Sequence, residues 1–511
     1  MVGGVTTFFG RSNIVKSYLS VIYLTTVMAA SLEATETGFD AQQILKQLQE
    51  LRQNQQQLQQ TIIQQQRTIE ALEKRVAAAD EKQKLAAEAM SSLLAPPASA
   101  AGSPGAAAAK ALAAPSGAPF WIGGGRAYMD ISADVLLAAG WSSEPSFAHT
   151  HSHEGHSHGD STLQRGHHDP QGSGFTLQGM EVAFQGAVDP YVRGDAFVSM
   201  NLNSHGETTV ELEEAYLTTL QMPWNLQLKG GQFYTEFGRL GTSQPHPHTW
   251  DFVDQPVIWS RMFGPDGLRN PGARASWLAP TPFYLELFGA VQNSKGETAS
   301  SFLNTEEDEF AGRALTDHRY TNAGDLLYST RVQSSFDLTD EHTVSLGGSA
   351  AFGPNPTGDA ARTSIYGADF YWKWRPTQND HGGPFVKWTT EALWRDYDLA
   401  DQVHEHEGEP PEFVPGKTLH DWGFYNEIAW GVARPWVAAF RVDYASGYHN
   451  DDPLLSQRWR FSPNVTYYFS EFSKVRLQYN ADMAKHFDNE IVHGIWLQFE
   501  FLLGAHGAHK F

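Results

Sequence analysis

Two periods of apolar residues divide the chain. Residues 41–94 carry a seven-residue repeat. Ala41, Leu48, Gln55, Ile62, Ile69, Val76, Gln83 and Met90 hold position a, and Ile44, Leu51, Leu58, Gln65, Leu72, Ala79, Ala86 and Leu93 hold position d. A period of 3.5 kept this long leaves a stripe that only partner helices can cover, so a coiled coil is predicted over 40–94. The Gln layers set register and strand number, and three strands are favoured over two. A lone amphipathic surface helix is the simpler alternative.

From Phe120 onward the period is two. Trp436, Ala438, Phe440, Val442 and Tyr444 alternate with Val437, Ala439, Arg441 and Asp443; Val475, Leu477, Tyr479 and Ala481 alternate with Arg476, Gln478, Asn480 and Asp482. Sixteen such segments are counted: 126–137, 175–188, 191–202, 208–220, 226–237, 272–279, 283–292, 325–337, 342–352, 363–375, 385–397, 419–432, 436–447, 456–470, 474–484 and 490–503. Gaps after even-numbered segments are short turns, most of them with Pro or Asp, as at Asp189-Pro190 and Arg434-Pro435. Every long gap (138–174, 238–271, 293–324, 398–418) follows an odd-numbered one. Short turns on one side and long loops on the other, with aromatics ending the apolar face, predict an all-β transmembrane barrel of about 16 antiparallel strands behind the α-helical coiled coil. The fourth segment (Glu211, Glu213, Glu214) breaks the alternation, and its faces cannot be assigned from the pattern.

Ahead of the coil, Arg11 and Lys16 precede an apolar run over 18–32, followed by small residues around Ala29. This reads as an export signal over 1–30; a retained anchor is the alternative. Residues 95–119 are Ala, Pro, Gly and Ser with one Lys, a linker that buries no core. The barrel then occupies 120–511. With the first strand entering from the periplasm, the coil lies on the periplasmic side of a Gram-negative outer membrane.

Composition narrows the classes. The chain has 511 residues, 36 Lys+Arg against 58 Asp+Glu, a net charge of −22 and no cysteine. Nucleic acid is not an expected partner, and disulfide scaffolds, Cys-ligated zinc and Cys nucleophiles are excluded. No G-x-S-x-G signal appears, and no enzymatic activity is expected. The first 119 residues leave no room for the plug of an energised receptor.

The chain ends in Phe511, which shares the parity of Leu497, Phe499, Phe501 and Leu503. Here the sequence resembles outer-membrane porins, whose last strand ends in an aromatic read by the barrel-assembly machinery. The order of coil, linker and barrel is similar to the trimeric coiled-coil porins of the DcaP type and their phosphate-selective relatives. The stretch Gly231-Gln232-Phe233-Tyr234-Thr235-Glu236-Phe237-Gly238-Arg239 resembles a strand-to-loop segment of such porins; the tail from Gly504 departs from them. The resemblance implies a homotrimer in outer-membrane lipid passing small hydrophilic solutes or ions, with a third loop folded into the bore.

By this count that loop is 238–271, and Asp251, Asp254, Arg261 and Arg269 are its candidate pore-lining residues; an ordinary external loop is the alternative. Alternation also turns Lys373, Arg441, Arg458, Arg460 and Arg476 toward the lumen, as an anion track or as a transverse salt-bridge ladder. Loop one holds His149, His151, His153, His156, His158, His167 and His168, and loop six holds His404 and His406. Closely spaced imidazoles on a flexible segment are candidate ligands for weakly bound Zn or Cu, released below about pH 6 as His protonates. Incidental metal contact is the alternative, and so is a closed barrel that serves only to anchor the coil. No cofactor is required by any of these readings.

Overall fold

The computed structural model describes residues 128–504 apart from 144–165, 171–172, 203–206, 305–308, 318–319, 378–382, 405–410, 449–454 and 488–490, together with the backbone of Trp121–Ile122. The predicted leader, coil and linker, and the terminal Phe511, lie outside the described residues.

Sixteen strands form the wall: β1 (Tyr128–Ser142), β2 (Gly174–Ala187), β3 (Val192–Leu202), β4 (Thr208–Thr219), β5 (Leu226–Tyr234), β6 (Arg269–Leu278), β7 (Tyr284–Asn293), β8 (Leu326–Thr339), β9 (His342–Pro354), β10 (Arg362–Trp374), β11 (Phe385–Leu399), β12 (Lys417–Ala433), β13 (Trp436–Ala445), β14 (Arg458–Ser470), β15 (Ser473–Ala484) and β16 (Ile491–Gly504). Each pairs antiparallel with the next. β16 returns to β1, with Val135 opposite Phe501, so the ladder has no free edge. The strands match the sixteen alternating segments one for one. β1 runs farther than its apolar pattern, to Ser142, and the third loop begins at 235.

The alternation is realised as a two-faced wall. On β13, Trp436 and Phe440 are exposed while Ala439, Arg441, Asp443 and Ala445 are buried. On β15, Leu477 and Tyr479 face out while Arg476, Gln478 and Asn480 face in. An apolar exterior on a closed ladder satisfies every wall amide without water, the condition for a sheet in lipid.

The largest apolar cluster sits inside the barrel. Val257, Ile258, Trp259, Met262 and Phe263 of the third loop meet Ile365, Leu393, Tyr425 and Ala445 of the wall, and Ala299 and Phe302 of the following loop close over them. Inward residues on β8 to β13 therefore include apolar ones, because the loop covers them as a core would.

Register shifts lie beside three short turns, at Asp337/Thr339, Gly431/Ala433 and Tyr468/Ser470, and two further β-bulges fall within the strands. Leu136 opposes Gly179 but Leu137 opposes Leu177, leaving Gln178 as the extra residue on β2. Phe197 opposes Glu214 but Val198 opposes Leu212, leaving Glu213 extra on β4. A bulge turns two successive side chains to one face. That is why Glu213 and Glu214 are both buried, and why no period-two assignment fits β4.

Candidate functional site: the lumen and its third loop

The loop between β5 and β6 enters the lumen at Gly238, whose φ of +56° suits glycine; a Cβ there would overlap the Glu391 carboxylate. A short helix, α1 (Gly238–Ser243), follows. The Gly238 N–H donates to Ser349 Oγ at 2.9 Å, and the Arg239 guanidinium lies 3.6 Å from the centre of the Tyr371 ring. A second helix, α2 (Val257–Phe263), starts after Pro256, and Asp443 of the wall accepts the Val257 N–H at 3.1 Å. That orphan amide finds its partner across the lumen rather than in its own helix. Gly264, with φ +75°, ends α2.

Between the helices the loop is tied to β11 and to β13–β15. Lys387 Nζ donates to Asp251 Oδ2 at 2.7 Å. Asp254 accepts from Arg441 at 2.6 Å, from Gln478 at 3.0 Å and from Asn480 at 2.6 Å, and pairs with Arg460 at 3.2 Å. Burial alone would raise the Asp254 pKa, but the charges of Arg460 and Arg441 hold it well below the usual carboxylate range. Arg476 donates to the carbonyls of Trp250 and Phe252 at 2.8 and 3.0 Å.

The candidate pore-lining residues therefore divide by position. Asp251, Asp254 and Arg261 lie in the loop. Arg269 opens β6 and pairs with Glu211. Arg261 donates to the carbonyls of Ser446 and Ser456, and burial, with the charge of Arg458 next, pushes its pKa down to about 10. Arg441, Arg458, Arg460 and Arg476 all face inward and are buried. Arg458 donates from Nε to Asp482 at 2.7 Å, and Arg441 likewise to Asp443 at 2.8 Å. Their geometry is that of the transverse ladder. Lys373 borders a cavity of about 350 Å³ with Lys387, Lys474 and Asp251. A second cavity, about 360 Å³, is lined by Asp134, Glu181, Asp195, Glu214 and His246 among others; Ser243, His248 and Thr249 border both. Glu471 in one and Leu220 in the other place both cavities toward the short-turn end of the barrel.

His149, His151, His153, His156, His158 and His406, and the side chain of His404, lie outside the described residues. His167 and His168 are described and enter the lumen. His167 Nδ1 is 3.6 Å from Asp266, and His168 Nε2 is 3.3 Å from Glu213. Burial opposes charge on His168, but the hydrogen bond and charge of Glu213 outweigh it and raise its pKa to about 9. Asp169 accepts the Gln255 N–H at 2.8 Å. Its pKa is raised to about 6, by burial first and by the charge of Asp254 next. The end of loop one thus braces the third loop from above.

The pattern of alternation does not reveal Gln178, which donates to the carbonyls of His168 and Val253 at 2.7 and 3.0 Å and accepts from Gln498 at 2.8 Å. It also misses Glu181 and His246. The broken parity at Glu213 and Glu214, whose faces the pattern leaves unassigned, is the one signal in the sequence that could have marked this corner of the lumen.

Closed wall, apolar exterior and polar, loop-filled interior define a transmembrane β-barrel. No family model matches the chain. It is 29% identical over 383 residues to a protein of Aquifex aeolicus (strain VF5) described as uncharacterized, covering 71% of this chain and 73% of that one. Similar solved structures include the outer membrane channel DcaP of Acinetobacter baumannii, at 11% identity, 74% of this chain, 98% of that chain and TM-score 0.45. Another is an anion-selective porin from Comamonas acidovorans, at 6% identity, 74% and 100% coverage and TM-score 0.44. It is the strand ladder, not these likenesses, that defines the fold.

Proposed function

We propose that the chain is a porin of a Gram-negative outer membrane, passing small hydrophilic solutes or ions by diffusion, with the third loop as its constriction. One observation carries this: the loop crosses the lumen and is hydrogen-bonded to polar wall residues on β9, β11, β13, β14 and β15. An anchor that only tethers a coil has no need of a hydrated, ion-paired interior, whereas a diffusion pore does. Asp251, Asp254, Arg261, Arg269 and Lys373 are the charges proposed to border the path, and the arginines of β13–β15 to hold the loop. A homotrimer follows from the predicted coil. The imidazole-rich stretch between β1 and β2 adds divalent metal ions, zinc or copper, to the solutes that would gather at the mouth.

Planar-bilayer conductance of the purified chain in KCl tests the reading. Open steps that grow several-fold on deleting 243–262 are expected. Unchanged steps in the deletion would overturn the constriction, and the absence of any conductance would leave the anchor.

A further inference from the structure

We propose that Glu181, Glu213 and His246 form a binding site for one divalent transition-metal ion of the zinc type inside the lumen. One ligand atom from each lies within 4.8 Å of the others. This site is separate from the external imidazole stretch and does not depend on the barrel being open.

The geometry is that of a prepared site. His246 sits with its ring stacked on Phe197 at 4.6 Å and edge-on to Tyr234 at 5.5 Å, which fixes its plane. Its Nε2 lies 3.0 Å from Glu214 Oε2, an acceptor that favours a proton on this nitrogen, and the other oxygen of Glu214 accepts the Tyr234 N–H at 2.9 Å. A carboxylate that takes the proton of one ring nitrogen leaves the lone pair of the other facing away from it, the usual positioning of a metal-bound histidine. Here that nitrogen, Nδ1, points at two carboxylate oxygens, Glu181 Oε2 at 2.8 Å and Glu213 Oε2 at 3.4 Å. Neither contact is aligned as a hydrogen bond, and both His246 Nδ1 and Glu213 Oε2 are buried with no hydrogen-bond partner. Glu213 is 1% exposed and His246 6%.

Three carboxylates, Glu181, Glu213 and Glu214, ring this one imidazole, so even as an imidazolium it leaves the cluster negative, and a divalent ion taking the place of the Nδ1 proton neutralises it. Ligands at about 2.0–2.2 Å in a tetrahedral set stand roughly 3.3–3.6 Å apart; the 3.4 Å between His246 Nδ1 and Glu213 matches this, and the 2.8 Å to Glu181 widens as the ion displaces the proton. One imidazole with two carboxylates suits zinc and its neighbours rather than a soft thiolate-seeking ion. Three protein ligands leave a fourth position. Glu181, Glu214 and His246 border the 360 Å³ cavity, from which a water or a solute reaches that position. His168 stands against Glu213 Oε1 at 3.3 Å, holding the oxygen that is not a ligand.

Co²⁺ is the probe. The full chain, with His149, His151, His153, His156 and His158 changed to Ser so that the external loop does not compete, is titrated in detergent and its visible spectrum followed. One ion per chain with intense tetrahedral bands is expected. His246→Asn and Glu213→Gln should each weaken binding about 10- to 100-fold, and Glu214→Gln about 10-fold through loss of positioning. Each variant is checked for a heat-modifiable barrel band; should His246→Asn not fold, Glu181→Gln serves in its place. Anomalous diffraction at the zinc edge on the unmutated chain gives an answer that needs no variant, with a peak expected among these three side chains. Binding indifferent to the substitutions, or a zinc peak only elsewhere, would overturn the site. A conducting barrel that fails to bind Co²⁺ sinks this inference alone; a binding barrel that does not conduct sinks the channel reading alone.

Discussion

Asp254 Oδ1 lies 2.6 Å from Arg441 Nη2, joining two residues 187 positions apart across the lumen, both buried. Asp254 also pairs with Arg460. Changing Asp254 to Ala leaves two buried guanidinium groups short of a counter-charge, a loss of about 3–5 kcal/mol in loop docking. The wall ladder does not run through Asp254, so the barrel should still form. The expected result is a heat-modifiable barrel with larger, noisier single-channel steps; an unchanged trace would show the pair to be idle.

Acidification acts on the loop through two carboxylates of opposite sign. Asp254 has a depressed native pKa, so its contribution is present above the ordinary carboxylate value of about 4 and is lost as pH falls toward the native value. Asp169 has a raised one, about 6, so its contribution is full below about 4 and is lost as pH rises through 6. Of these two, only Asp169 changes state between pH 7 and 5. Amide exchange at Gly166 and Gln255, whose N–H groups donate to Asp169, should therefore slow on going from pH 7 to 5 after correction for intrinsic rates.

Gly238 is the hinge of the loop. Gly238→Val puts a β-branched residue at φ +56° and drives a Cβ into the Glu391 carboxylate. A cost of about 1–3 kcal/mol is expected for the backbone alone, read as greater protease sensitivity of 238–264 with the wall strands still protected.

The luminal core has its own prediction. The rings of Trp259 and Phe263 pack at a tilt of 57° with centres 4.7 Å apart, among buried apolar groups. Trp259→Ala should destabilise loop docking by about 3–5 kcal/mol and raise current noise. Trp430→Ala, on the exposed outer face of β12, should leave the current unchanged.

Membrane insertion is tested on the outer face. Leu346, in the middle of β9, is exposed. Leu346→Arg should cost about 2–4 kcal/mol if this face meets lipid, lowering folding yield into liposomes. Ser345→Arg, one residue away on the inner face, should not carry that lipid cost; equal yields would argue against a lipid-facing wall.

What the sequence determined by itself was the wall. Period-two alternation is a local property, since each side chain on a strand points opposite to its neighbours. Val437 through Asp443 therefore announced their faces without knowledge of any partner. Gap parity did the same for the two ends of the barrel, and the two Glu at 213 and 214 marked the place where the rule fails. The heptads over 41–94 carry their own expectation, on residues outside those described. The interior was decided only in three dimensions. Inward Ile365, Leu393 and Tyr425 look out of place in a hydrated lumen until α2 covers them. Arg441 and Arg476 read equally as an anion track or a salt-bridge ladder until the carbonyls and carboxylate of the third loop reach them. Glu181 and His246 meet only because one bulge at Glu213 and one loop crossing coincide. Such contacts depend on closing a circle of sixteen strands, a long-range event that no window of sequence encodes.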